Sequence, residues 1–175
     1  MTHFEFYGIP VALTVDESVV RKNYLLNSKK YHPDFHTQSN ESAQAEMLER
    51  STQNNEAYKT LSDSDKRIRY VLEIKGLLGK ENENPSLPQD FLMEMMDINE
   101  ALMELDFDFD MERYFKTLEA VQSLENELDK GIQPNLSSWT ETSGSNADLV
   151  NVREFYFKKR YLLRIKENLS KFAPA

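Results

Sequence analysis

Lys29-Lys30-Tyr31-His32-Pro33-Asp34 ends a basic helical pattern, and a second helical pattern begins a few residues later. Proline fixes its own backbone and pushes the residue before it out of the α region, so Pro33 stops the first helix. The His32 ring and the Asp34 carboxylate are then displayed at the end of a helix carrying Arg21, Lys22, Lys29 and Lys30. Asp34 is a fixed anion suited to an arginine on a partner. The four cations suit an acidic groove. Such pairs give partner choice and fast encounter, and they require no catalysis by this chain. The plainer reading is that His32 and Asp34 cap a turn, a common use of Asp.

Working outward, helical periodicity dominates and strand signals are nearly absent. Phe4 to Gly8, closed by Gly8-Ile9-Pro10, reads as a short helix or turn. Thr14-Val15-Asp16-Glu17 has capping-box spacing and opens a helix to about Tyr31. Val20, Tyr24 and Tyr31 form its inner stripe, with Leu25 beside it. A helix from about Glu41 to Leu61 follows, with Ala43, Met47, Asn54, Tyr58 and Leu61 near one face. Ser62-Asp63-Ser64-Asp65 caps another, through Ile68, Val71 and Leu72, which stops near Gly76 and Gly79. The polar stretch 80–88, with Pro85 and Pro88, is the domain boundary.

The second half holds three long patterns. The first runs from about Gln89 to Leu105. The second runs from about Met111 to Asp129, with Met111, Phe115, Leu118, Val121 and Leu128 as its stripe, and ends at Gly131 with Pro134 beyond. Residues 135–147 read as a Ser, Thr and Asn loop around Trp139. The third runs from about Asp148 to Phe172, with Phe155, Leu162, Ile165, Leu169 and Phe172 at helical spacing. The expected fold is all-α: a helical hairpin domain (1–79), a connector (80–88) and a three-helix bundle (89–175).

Composition narrows the function. The 175 residues suffice for one large or two small domains. No cysteine is present, which excludes disulfides, thiolate metal ligands and a cysteine nucleophile. The start, Met1-Thr2-His3-Phe4-Glu5, lacks a basic region followed by a long apolar run, so neither a signal nor a transit peptide is expected. No apolar run is long enough to span a membrane. The net charge of −9 argues against a dedicated nucleic-acid binder. Charge is also segregated. Residues 81–112 hold 11 acidic and no basic residues, whereas 153–171 hold 7 basic and 2 acidic ones. Either each block faces its own partner, or the acidic and basic helices lie as neighbours.

Phe91-Leu92-Met93-Glu94-Met95-Met96-Asp97-Ile98 is the second informative stretch. Phe91, Met95, Ile98, Leu102 and Leu105 supply the one apolar stripe that a bundle helix needs. Leu92, Met93, Met96 and Met103 are apolar beyond that need. Met93, Met96, Asp97, Glu100 and Glu104 fall along another side. Flexible, polarisable methionine suits a surface that grips a protein, and carboxylates around it would select a basic partner. The alternative is a helix buried on two sides.

The flanks of the turn carry a resemblance. Tyr7-Gly8-Ile9-Pro10, Tyr31 before the triad, Asn55-Glu56-Ala57-Tyr58 with Leu61, and Arg69-Tyr70-Val71-Leu72 with Gly76 resemble the J-domain of the HscB family, co-chaperones of iron–sulfur cluster assembly. The resemblance extends over the whole length, with the J-domain motifs the more specific. It implies that His32, Pro33, Asp34, Arg21, Lys22, Lys29 and Lys30 dock on a DnaK-type chaperone of the HscA class and stimulate its ATP hydrolysis. It implies that Leu92, Met93, Met96, Asp97, Glu100 and Glu104 hold the scaffold protein IscU. An aromatic residue of the last helix also contributes in that family. Phe157 is the match here, with Phe155, on the core stripe, the alternative.

This chain departs from the family in places. Phe35 and His36 follow the triad where a lysine is frequent. The amino-terminal cysteine pairs of some eukaryotic relatives are absent, as are the Gly/Phe-rich linker and zinc module of general DnaJ-type carriers. A bacterial cytoplasmic protein is therefore expected, neither an enzyme nor a holder of cofactor or metal. Three rivals remain. One is a J-domain protein with another client. The second is a metal-dependent hydrolase using His32, Asp34 and His36. The third is a purely structural helical adaptor without a chaperone partner.

Overall fold

The computed structural model describes residues 1–32, 34, 40–79 and 87–173. Pro33, Phe35 and His36, and connector residues 80–86, lie outside them. The protein is all-α. In chain order the helices are α1 (His3–Tyr7), α2 (Glu17–Lys30), α3 (Glu41–Leu61), α4 (Ser64–Ile74), α5 (Gln89–Phe107), α6 (Met111–Ser138) and α7 (Asn146–Ser170). They form two compact units, Met1–Gly76 with Leu136–Ser145, and Leu77–Asn135 with Asn146–Ala175.

In the first unit α2 and α3 form an antiparallel hairpin. Tyr24 stacks on Tyr58 with ring centres 4.2 Å apart. One turn further along α2, Ser28 meets Asn54, one turn earlier on α3. Asn54 is buried yet satisfied. Its amide donates to the Tyr24 carbonyl (3.1 Å) and the Ser28 hydroxyl (3.0 Å), and it accepts from the Tyr7 hydroxyl (3.1 Å). An unmet buried amide would cost about 1–3 kcal/mol, so this single side chain ties α1, α2 and α3 together. Burial pushes the Tyr7 phenol above its ordinary value, keeping it a donor. Arg67 is buried too, and donates to the carbonyls of Leu13 and Leu61, tying α4 to the end of α3 and to the segment between α1 and α2.

The caps differ from the sequence reading in two places. Asp16, not Thr14, opens α2: its carboxylate accepts from the Ser18 N–H at 2.9 Å. An anion beside the helix N-terminus is favoured by the helix dipole as well as by the bond. The Thr14 hydroxyl instead donates to the Leu136 carbonyl at 2.9 Å. Similarly, Ser62 closes α3 by donating to Tyr58, and Asp63 opens α4 by accepting from the Lys66 N–H.

His3 stacks on Tyr70 at 4.5 Å, with a buried Nδ1 that lacks a hydrogen-bond partner among the described residues. Burial lowers its pKa, and the nearby Glu56 charge only partly opposes this. The folded state therefore prefers the neutral ring. That preference stabilises fully above the ordinary histidine value of about 6.5 and is lost as pH falls from there through the lowered folded-state value. Urea midpoints should accordingly fall between pH 7.5 and 5.5, and fall less in His3→Phe. Equal slopes for the two proteins would show that the ring carries no such linkage.

Leu136–Ser145 joins the first unit, although the sequence reading puts it with the bundle. Ala12 bridges Thr140, the Glu141 N–H donates to the Val11 carbonyl at 3.0 Å, and Lys75 pairs with Glu141. Trp139 is buried, and a Cβ on Gly144 would stand 2.0 Å from its indole. Gly144→Ala should cost about 1–3 kcal/mol through overpacking, read as a lower urea midpoint, because a buried indole has little room to yield. An unchanged midpoint would mean that the segment repacks freely.

In the second unit Phe91, Met95, Ile98, Leu102 and Leu105 of α5 pack with Tyr114 and Val121 of α6 and Leu162, Ile165 and Leu169 of α7. α6 runs through Gly131 and Pro134 to Ser138, against the expected stop. A helix-interior proline costs about 3 kcal/mol. Pro134 is exposed, however, while Ile132 and Leu136 continue the four-residue spacing from Leu128 and are buried. Burying each stabilises by about 1.5–3 kcal/mol, which offsets the proline. The α6 core stripe also differs at its start. Tyr114, Thr117 and Val121 are buried, whereas Met111 and Phe115 are exposed, one position off the inward face.

Candidate docking sites

The first candidate site lies at the end of α2. Arg21, Lys22, Lys29 and Lys30 are all exposed, the last two in its final turn, where the helix dipole favours cations. Lys30 lies 5.1 Å from the Tyr31 ring. The Asp34 N–H donates to His32 Nδ1 at 3.3 Å. An accepting Nδ1 carries no proton, so the neutral ring holds its hydrogen on Nε2. The Asp34 carboxylate lies 3.6 Å from the same Nδ1. Its side chain is 83 % exposed. The Asp34 carboxylate thus lies just past Lys29 and Lys30, with Arg21 and Lys22 earlier on the same helix.

Leu25 and Leu26 fill the centre of this basic face. The sequence reading sets Leu25 beside the core, but both are more than half exposed. Lys22, Leu26 and Lys29 recur at spacings of four and three, so the charged stripe has an apolar middle. That spacing was the signal by which Leu26 could have been found.

The second candidate site is the outward face of α5. Leu92, Met93 and Met96 are 40, 61 and 70 % exposed, and Asp97, Glu100 and Glu104 are exposed beside them. The two-sided burial considered above is thus not what this helix does. Arg113 holds the Glu104 carboxylate at 3.1 Å. The basic last helix turns elsewhere: Lys159 pairs with Asp129 and Lys166 with Glu125, both on α6. Those pairs leave Asp97 and Glu100 on α5 unengaged by either lysine. On α7, Phe155 is buried, and Phe157 is half-buried with the Arg153 guanidinium over its ring.

Among the described residues no group of three or more His, Cys, Asp or Glu could hold a metal ion. His36 of the rival metal triad lies outside them. No helix among the described residues is long and apolar enough to cross a membrane.

Comparison with known proteins adds to this geometry. A family model of the DnaJ domain matches residues 2–70, and one described as the HSCB C-terminal oligomerisation domain matches residues 87–170. A co-chaperone protein HscB homolog from Ralstonia nicotianae is 31 % identical over 103 residues, 59 % of this chain and 58 % of that protein. The match thus spans under two thirds of that relative's length. A homolog from Vibrio campbellii is 26 % identical over 179 residues, covering 96 % of this chain and 98 % of the other. The crystal structure of human co-chaperone protein HscB superposes with a TM-score of 0.73 at 23 % identity, over 98 % of this chain and 81 % of that one. The chaperone HscB from Vibrio cholerae gives 0.63 at 22 %, over 99 % and 100 %. These two likenesses concern the fold.

Proposed function

Because this chain belongs to the HscB family of J-domain co-chaperones, we propose that it stimulates ATP hydrolysis by a DnaK-type chaperone of the HscA class and delivers the scaffold protein IscU to it. The observation that carries the reading is the exposed Asp34 carboxylate at the end of the basic α2. It offers an arginine of the chaperone a charged partner, while Arg21, Lys22, Lys29 and Lys30 meet acidic surface. The α5 face, with Leu92, Met93, Met96, Asp97, Glu100 and Glu104, would hold the scaffold, aided by Phe157. Hydrolysis belongs to the chaperone. This chain would act by joining two binding events, which needs different affinities for the chaperone's nucleotide states.

The domain division follows the same logic: the amino-terminal unit drives the chaperone, and the α5–α7 bundle holds the client. Steady-state ATPase of an HscA-type chaperone, with and without the scaffold, tests both halves. Stimulation by this chain that rises synergistically with scaffold supports the full reading. Stimulation without synergy keeps the J-domain role and assigns another client. No stimulation removes the chaperone partner.

A further inference from the structure

The exposed face of α5 does not stop at Glu104. The helix runs to Phe107, past the end that the sequence suggests, and this adds another position to its outward stripe. Leu92, Met96, Glu100, Met103 and Phe107 follow at spacings of four, four, three and four, on one side of the helix. Met103 is 74 % and Phe107 94 % exposed. With Glu100, Glu104, Asp108 and Arg113 they line a shallow hollow at the helix end. Arg113 is committed to Glu104, so the hollow keeps a surplus of carboxylates. Beyond it the chain reads Leu105-Asp106-Phe107-Asp108-Phe109-Asp110-Met111, alternating apolar and acidic side chains. Phe109 is exposed too, 6.2 Å from Tyr114.

A contiguous exposed apolar surface on a soluble protein marks an interaction site more often than an accident. Its charge selects the occupant. Two copies of this patch would repel each other through their aspartates, and an anionic lipid surface would be repelled likewise. A segment bearing Lys or Arg among apolar side chains fits both the methionine–phenylalanine floor and the carboxylate frame. Continuity with the Leu92–Met96 face makes that segment part of the same bound protein.

We propose that the docking strip of α5 runs on to Met103 and Phe107, and that its far end takes a basic, apolar-flanked segment of the protein held by Leu92, Met93 and Met96. This rests on the reading of α5 as the scaffold-binding face. The test is calorimetric titration of purified scaffold protein into the full-length chain, into Met103→Ser with Phe107→Ser, and into Leu92, Met93 and Met96 all changed to Ala. Circular dichroism melts of each variant confirm folding, which two such exposed side chains should not disturb.

The serine pair should weaken binding by about tenfold. Asp106→Asn with Asp108→Asn should weaken it too and flatten its salt dependence. If the serine pair binds like wild type while the alanine triple loses affinity, the strip ends before Met103 and the proposal fails. If neither set alters affinity, the scaffold reading fails and takes the extension with it. Concentration-dependent self-association that Phe107→Ser abolishes would assign the patch to a second copy and overturn the proposal.

Discussion

Asp34→Asn is expected to remove stimulation of an HscA-type ATPase while leaving the fold intact. The substitution keeps size, shape and turn preference and removes only charge. The side chain is 83 % exposed, so its loss changes no core packing. On the proposed function, what it would lose is a charge-assisted hydrogen bond to the chaperone. Bonds to charged groups contribute about 1.5–3 kcal/mol, and about 2 kcal/mol is roughly thirtyfold in the affinity of the stimulating complex. Stimulation measured below saturation should fall by that factor. Its salt dependence should weaken as well, since one of the charges proposed to act in the encounter is gone. His32→Ala should act in the same direction, because it removes the acceptor that holds the Asp34 N–H at 3.3 Å. Normal stimulation by Asp34→Asn would return His32 and Asp34 to the status of a turn.

The residues differ in how far the sequence alone reveals them. α3 begins at Glu41 and ends at Leu61, as its periodicity and caps imply. The α5 and α7 core stripes were readable for the same reason: apolar residues at spacings of three and four must face one way. The end of α6 was not readable, because Gly131 and Pro134 are local signals while Ile132 and Leu136 act through tertiary burial. Trp139 gave little warning either. A lone indole in a Ser/Thr-rich stretch reads as loop, and only the chain crossing back to Val11 and Ala12 explains its burial. On α2 the cations were legible as an outward set, and Leu26 was legible with them through its spacing from Lys22 and Lys29; Leu25, next to the inner stripe at Tyr24, was not. On α5 the surplus apolar positions were legible. Phe107 escaped because it lies beyond the inferred helix end.

Charge segregation makes the same point about neighbours. Two readings of the basic last helix stood open, a partner-facing surface or a neutralising neighbour. Lys159 and Lys166 reach Asp129 and Glu125 of α6, a helix that no charge block in the sequence singled out. The acidic block on α5 thus keeps Asp97 and Glu100 exposed beside its methionines. Partial neutralisation comes from Arg113 at Glu104. A surface built this way repels its own kind and attracts cations, which matches a transient grip on a basic client better than a permanent interface.

Changing Leu92, Met93 and Met96 together to Ala should abolish measurable scaffold binding at concentrations where the wild type is half-saturated. Each side chain is exposed in the free protein, so the change creates no cavity and leaves the core stripe of Phe91, Met95 and Ile98 in place. Full burial of such a side chain stabilises by about 1.5–3 kcal/mol. Truncation at a packed contact recovers part of that, about 1 kcal/mol each. Three together give about 3 kcal/mol, on the order of a hundredfold in Kd. Stimulation of the chaperone without scaffold should be unchanged, because α2 and the turn are untouched, while the synergistic increment should vanish. Calorimetry with the scaffold and ATPase with and without it separate these two effects. Retained affinity in the triple variant would move the client to another surface. Lost basal stimulation, with a normal melt, would mean that the two faces do not act independently.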